Sequence, residues 1–196
     1  MKVIGLTGGV GSGKSLAAQI LKEECRAELL IADDLGHLAM EPGTEGYRQI
    51  IERFGRQILN QDGLVDHEAL SLVIFRDEQA RTDLNGIIHP AVLEYIKKYI
   101  QERKSLDGMI ILESAILFET GCDRFCDQIW YVHVSDEIRR ERLADNRGYT
   151  IEKTESIMSK QLSVQEFYSR CDVVVENDGT KEDLTEQIRA RLPVKF

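Results

Sequence analysis

The stretch GLTGGVGSGKS, residues 5 to 15, limits the possible folds of this chain more than any other. Gly8, Gly13, Lys14 and Ser15 satisfy G-x-x-x-x-G-K-[ST], with an apolar run before the pattern and helical spacing after it. Four specified positions would coincide by chance in about one chain in a hundred of this length. Glycines let backbone N–H groups turn inward on an anion, and the first turn of the following helix adds its unsatisfied donors and positive dipole end. The spacing therefore predicts a polyphosphate-binding segment made of Gly8, Gly11, Ser12, Gly13, Lys14, Ser15 and Leu16. In that frame Lys14 reaches the β and γ phosphates, and the Ser15 hydroxyl helps hold Mg²⁺ together with phosphate oxygens and water. The dinucleotide fingerprint G-x-G-x-x-G is not met here.

A phosphate loop needs a sheet and helices around it, and the rest of the pattern supplies both. Apolar runs at Val3–Leu6, Leu29–Ala32, Met109–Leu112, Ile129–Val134 and Val173–Val175 alternate with longer helical segments. Runs of this kind predict an α/β fold, with a parallel sheet of P-loop NTPase type covered by helices. Between about residues 34 and 104 the alternation stops and the pattern turns helical. Tyr47, Ile50, Ile51 and Phe54 share one helical face, as do Val92, Leu93, Ile96 and Ile100. Pro90 fits the first turn of a helix that follows it. The expected organisation is one domain over residues 1–196: a nucleotide-binding core (about 1–34 and 105–196), a helical insertion (about 35–104) and a lid (about 139–152). A polar break, ADNRGYT at residues 144–150, separates two helical segments within the lid region.

Composition narrows the partners. The chain has 25 Lys and Arg against 34 Asp and Glu, a net charge of −9. This balance disfavours nucleic acid and anionic membranes, both of which select excess positive charge. No apolar stretch is long enough for a span, and Met1–Lys2 runs into glycines rather than a secretory signal, so a cytoplasmic location is expected. Cys25, Cys122, Cys126 and Cys171 show no paired metal-ligand spacing and are read as reduced thiols.

The loop alone does not say what becomes of the phosphate, since kinases, GTPases and mechanical ATPases share it. Asp33 ends the run LLIADD, at the expected carboxyl end of a strand, where ligands bind in open α/β sheets. A carboxylate there can take the proton of an attacking hydroxyl or hold magnesium through water. Asp33 to Gly36 also reads D-x-x-G, but no N-K-x-D guanine motif follows. Glu113 ends MIILE, where an acid can bind water around magnesium or simply terminate the strand. Arg139, Arg140, Arg142 and Arg147 suit a set of mobile lid cations covering a transferring phosphoryl group, with Arg142 favoured. The competing reading is a solvated helix face paired with Asp136, Glu137 and Glu141.

Taken together, GLTGGVGSGKS, ADD followed by EPG, then FG, DGLVD, LNGIIHP, ILFETG and CDVVVENDG resemble the dephospho-coenzyme A kinase family over almost the whole chain. The IIHP element, with His89 and Pro90, is more particular to that family than the loop is. The resemblance implies transfer of the γ-phosphoryl of ATP, with Mg²⁺, to the ribose 3′-hydroxyl of dephospho-coenzyme A. It implies Asp33 as base, with Lys14 and Arg142 also catalytic, an acceptor-binding insertion contacted through Asp33, His89 and Glu119, and an adenine site near Asn177 and Gly179. A monomer is the expected state. The chain departs from the family pattern at Ile31, at His37, His67 and Leu93, where arginines are common, and at Asn146, where the lid arginine usually stands. Two rivals stay open: a nucleoside or nucleoside monophosphate kinase, and a non-catalytic ATP-binding switch protein.

Overall fold

The computed structural model describes residues 1–192. Along the chain lie β1 (Lys2–Thr7), α1 (Lys14–Cys25), β2 (Glu28–Ile31), α2 (Ala32–Leu38), α3 (Glu45–Phe54), α4 (His67–Arg76) and α5 (Glu78–Arg103). Then come β3 (Met109–Glu113), β4 (Gln128–His133), α6 (Asp136–Arg147), α7 (Ile151–Met158), α8 (Val164–Arg170), β5 (Val173–Glu176) and α9 (Lys181–Arg191). The chain divides into two compact units, one made of Met1–Leu30 with the chain from Ser105 on, the other of Ile31–Lys104.

Each of the five apolar runs forms a strand, in a five-stranded sheet of order β2-β3-β1-β4-β5. β1 pairs in parallel with β3 on one side and β4 on the other, and β4 pairs in parallel with β5. The connection after β1 leads toward one edge and the connection after β4 leads toward the other. The strand order therefore reverses at the carboxyl ends of β1 and β4, which is where open α/β sheets form ligand crevices. Ile4, Leu6, Trp130, Val132 and Val175 alternate onto one sheet face and are buried against Ala17, Ala18 and Leu21 of α1 and Leu184 and Ile188 of α9. The i, i+3, i+4, i+7 spacing of Lys14, Ala17, Ala18 and Leu21, all buried, makes α1 the helix that carries the loop. It ends at Arg26, whose left-handed backbone (φ 51°) returns its N–H to the Lys22 carbonyl.

The second unit is helical around Ile50, Phe54, Ile58, Val65, Leu70, Ala80 and Leu84. Its helices start on side-chain caps: Thr44 accepts from the Tyr47 amide, Asp66 from Glu68 and Ala69, and Asp77 from Gln79 and Ala80. The expectation that Pro90 opens a helix is corrected, because Pro90 lies inside α5, with twelve residues before it and thirteen after. Buried side chains on both flanks, Ala80 and Leu84 before and Val92 and Ile96 after, hold the helix through the missing hydrogen bond. Gly86, four residues earlier, carries no side chain at the turn that the proline ring crowds. The break read at residues 144–150 is narrower than expected, since α6 continues to Arg147 and ends on left-handed Gly148. Among the described residues no helix is long and apolar enough to cross a membrane.

Candidate active site

The loop between β1 and α1 fixes its own carbonyls and leaves amides over. Gly8 leaves the strand at φ 155°, and a Cβ there would stand 2.6 Å from the Val132 carbonyl oxygen, so only glycine fits. Gly13 caps α1 in the left-handed region (φ 84°). Lys14, only 8% exposed, donates its Nζ to the carbonyls of Gly8 (3.0 Å) and Gly9 (3.1 Å). Ser12 donates its amide to Gly9 (3.1 Å), and the Ser12 carbonyl accepts from Asn177 Nδ2 (2.7 Å). At the tip, the Val10 amide donates to Gln161 Oε1 (3.1 Å) and the Val10 carbonyl accepts from Arg139 Nε (3.1 Å). Among the described residues, the amides of Gly11, Gly13 and Ser15 donate to no acceptor. Unspent N–H groups beside a buried ammonium and a helix N-terminus form a cradle for anionic oxygens. The buried Thr7 Oγ1 and Ser12 Oγ, at the strand end and in the loop, also have no hydrogen-bond partner among the described residues.

Around this cradle the structure gathers several of the residues singled out in the sequence. Arg142 donates Nη2 to the Asn177 carbonyl (2.8 Å), and its Nη1 lies 3.8 Å from where a Cβ on Gly13 would be. Ser15 is exposed in the first turn of α1, whereas Leu16 is half-buried against the sheet core. Glu113 is buried at the end of β3, in register with Leu6, and the next amide, Ser114, donates to the Leu6 carbonyl. Gly179 sits against the Asp183 carboxylate that closes the capping box of α9. Glu119 is exposed in the turn after β3.

The expected set of four mobile arginines is corrected. Arg139 is 9% exposed and committed to Val10 and Gln161, and burial pushes its guanidinium pKa down. Arg140 is paired with Glu155 at 2.7 Å across α6 and α7. Arg142 reaches Asn177 rather than Glu141. Periodicity places these side chains on a helix but cannot tell which of them turns inward, and the buried turn at Arg139 and Leu143 decides it.

In the helical unit, Asp33 is exposed in the first turn of α2, two residues past the end of β2. His89 is half-buried midway along α5, and burial pushes its imidazole pKa down. Leu93 is half-buried, one residue beyond buried Val92. The rings of His37 and His67 meet at 4.9 Å between centroids and line a cavity of about 520 Å³ with Met40, Glu41, Asn60 and Leu64.

A family model described as dephospho-CoA kinase matches residues 2–183. The chain belongs to the dephospho-CoA kinase family. Curated dephospho-CoA kinases from Geobacillus kaustophilus and Geobacter sulfurreducens are similar to it at 34% and 36% identity, with 96% of this chain and 94% and 95% of theirs covered. The solved dephospho-CoA kinase of Campylobacter jejuni shares the fold, with a TM-score of 0.74 at 18% identity over 97% of this chain and 95% of that one. Within this member of the family, Gln161 is the loop contact that the sequence reading missed. It lies in the short stretch between α7 and α8, where no periodicity or motif distinguishes it. Arg139 was visible only as one of several arginines.

Proposed function

We propose that this chain transfers the γ-phosphoryl group of ATP to the ribose 3′-hydroxyl of dephospho-coenzyme A, giving coenzyme A and ADP. The observation that carries the reading is the completed phosphate loop, with the Gly11, Gly13 and Ser15 amides unspent, in a chain matched to the family from residue 2 to 183. The acceptor oxygen attacks the γ phosphorus, the bond from that phosphorus to the bridging oxygen breaks, and ADP leaves with the electron pair. Asp33 takes the proton of the attacking hydroxyl. Backbone groups of Gly8, Gly11, Ser12, Gly13 and Leu16 and the side chain of Lys14 position the phosphates, and Arg142 covers the transferring group from the lid (about 139–152). Asn177 and Gly179 line the adenine. His89 and Glu119 contact the acceptor, which is held mainly by the helical insertion (about 35–104).

Among the described residues no group of three or more His, Cys, Asp or Glu could hold a metal ion. A hydroxyl at Ser15 and a strand-end carboxylate at Glu113 instead suit Mg²⁺ that keeps phosphate and water oxygens, with Glu113 acting through water. When bound, the ion neutralises charge between the β and γ phosphates. We further assign the protein to the cytoplasm as a monomer acting without nucleic acid or membrane.

The test is ADP release measured with and without dephospho-coenzyme A, beside nucleosides and nucleoside monophosphates as alternative acceptors. Release that depends on the pantetheine-bearing nucleotide supports the reading. Equal or faster release with a nucleoside monophosphate replaces it with the rival kinase, and nucleotide binding without any acceptor-dependent release replaces it with a switch protein.

A further inference from the structure

Val10 is held on both sides of its own residue. Its amide donates to Gln161 Oε1 at 3.1 Å, its carbonyl accepts from Arg139 Nε at 3.1 Å, and Arg139 Nη2 donates to the same Gln161 oxygen at 2.5 Å. These bonds close a ring through the tip of the phosphate loop, α6 and the segment after α7. Neighbouring Gly9 has no side chain because a Cβ there would run into the Arg139 guanidinium. The acid nearest to that guanidinium, Asp136, stands 3.6 Å from Nη1 and is itself half exposed. A buried arginine satisfied chiefly by one loop carbonyl and one amide oxygen is an expensive way to fill space.

We propose that Arg139 and Gln161 are positioning residues for the nucleotide, a clamp that sets the loop in its anion-binding shape before ligand arrives. The inference rests on the reading that the loop holds ATP. Spending the Val10 amide on Gln161 and the Val10 carbonyl on Arg139 fixes the two peptide groups that flank Val10. The Gly11, Gly13 and Ser15 amides are then left as the cradle's donors. A loop without the clamp must lose its conformational freedom on binding, which weakens affinity without touching the chemistry. One planar guanidinium serves both acceptors at once, a geometry that a lysine does not reproduce.

The experiment compares Arg139→Met, Gln161→Leu and the double variant by calorimetric titration of the full chain with ADP and, separately, with dephospho-coenzyme A. Each single change is expected to raise the Kd for ADP about tenfold, the scale of one lost hydrogen bond in a shared network. The double variant should match the singles rather than multiply them, because each change opens the same ring. Affinity for dephospho-coenzyme A alone should stay within about twofold, on the same reasoning that the clamp orders only the nucleotide loop. Hydrogen exchange at the Val10 amide gives a second readout, with protection lost in Gln161→Leu. Unchanged ADP affinity in Gln161→Leu, or multiplied losses in the double variant, overturns the clamp. If Arg139→Met does not fold, Gln161→Leu decides through ADP affinity and Val10 exchange. A wild-type chain that takes up no ADP overturns the nucleotide reading instead, and Val10 exchange still tests whether the clamp exists.

Discussion

At the scale of single residues, position relative to the sheet matters more than residue type. Asp33 and Asp34 stand side by side and both are exposed, and Asp33, two residues beyond the strand end, is the one proposed above as base. Asp33→Asn is expected to lower turnover about 10²- to 10⁴-fold, the range for removing a general base, with ATP affinity nearly unchanged. Steady-state kinetics beside ADP titration checks this, and near-normal turnover removes the assignment. Gly8 makes a different kind of demand, because its constraint is backbone against backbone. Gly8→Ala would press a methyl onto the Val132 carbonyl at φ 155°, so a loss of about 1–3 kcal/mol is expected, read from the urea midpoint. The constraint at Gly8 was legible in the sequence through its fixed spacing, and the place of Asp33 just past β2 through the apolar run before it. Gln161 was not, because its partners lie at Val10 and Arg139, far away along the chain, and nothing nearby in sequence records that meeting.

At the scale of elements, the strands were legible because runs buried on both faces leave few alternatives, and all five are found within about a residue of their expected ends. Helix boundaries were less so. Proline is a strong local signal, but it acts at one position, while α5 is fixed by buried side chains spread from Ala80 to Ile96. Pro90→Ala should restore the hydrogen bond to the Gly86 carbonyl and relieve the ring contact. A gain of about 1–3 kcal/mol is expected, discounted from the full helix-interior proline penalty because proline also restricts the unfolded chain. Calorimetric unfolding checks it, and a lower transition temperature would show that the proline fits its surroundings better than alanine does.

At the scale of the whole molecule, stability is bounded on both sides in pH by groups of opposite behaviour. Glu45, Glu166 and Asp183 have pKa values lowered by hydrogen bonds to Arg48, Ser163 and Thr180 respectively, Glu45 to about 2. Lowered carboxylate values contribute stability above their unfolded pKa near 4, lost as pH falls through the folded values. The His89 pKa is lowered by burial, so its contribution is likewise present above its ordinary value near 6.5 and lost on acidification. Burial pushes the Cys126 and Cys171 thiols up from 9.0 to about 12, a contribution present below pH 9 and lost as pH rises toward 12. The expected result is a plateau of thermal stability between about pH 6.5 and 9 with a decline on each side, followed by circular dichroism. An alkaline limit no lower than that of a variant with Cys126 and Cys171 replaced by alanine would remove the thiols from this account.

The peptide groups at the loop tip are bound by Arg139, Gln161 and Asn177, up to 165 positions away in sequence. The glycine-rich segment therefore takes its shape only with partners distant along the chain in place. β1 itself pairs with β3 and β4, so strand and loop alike are assembled by contacts of high sequence separation, the kind that slows folding.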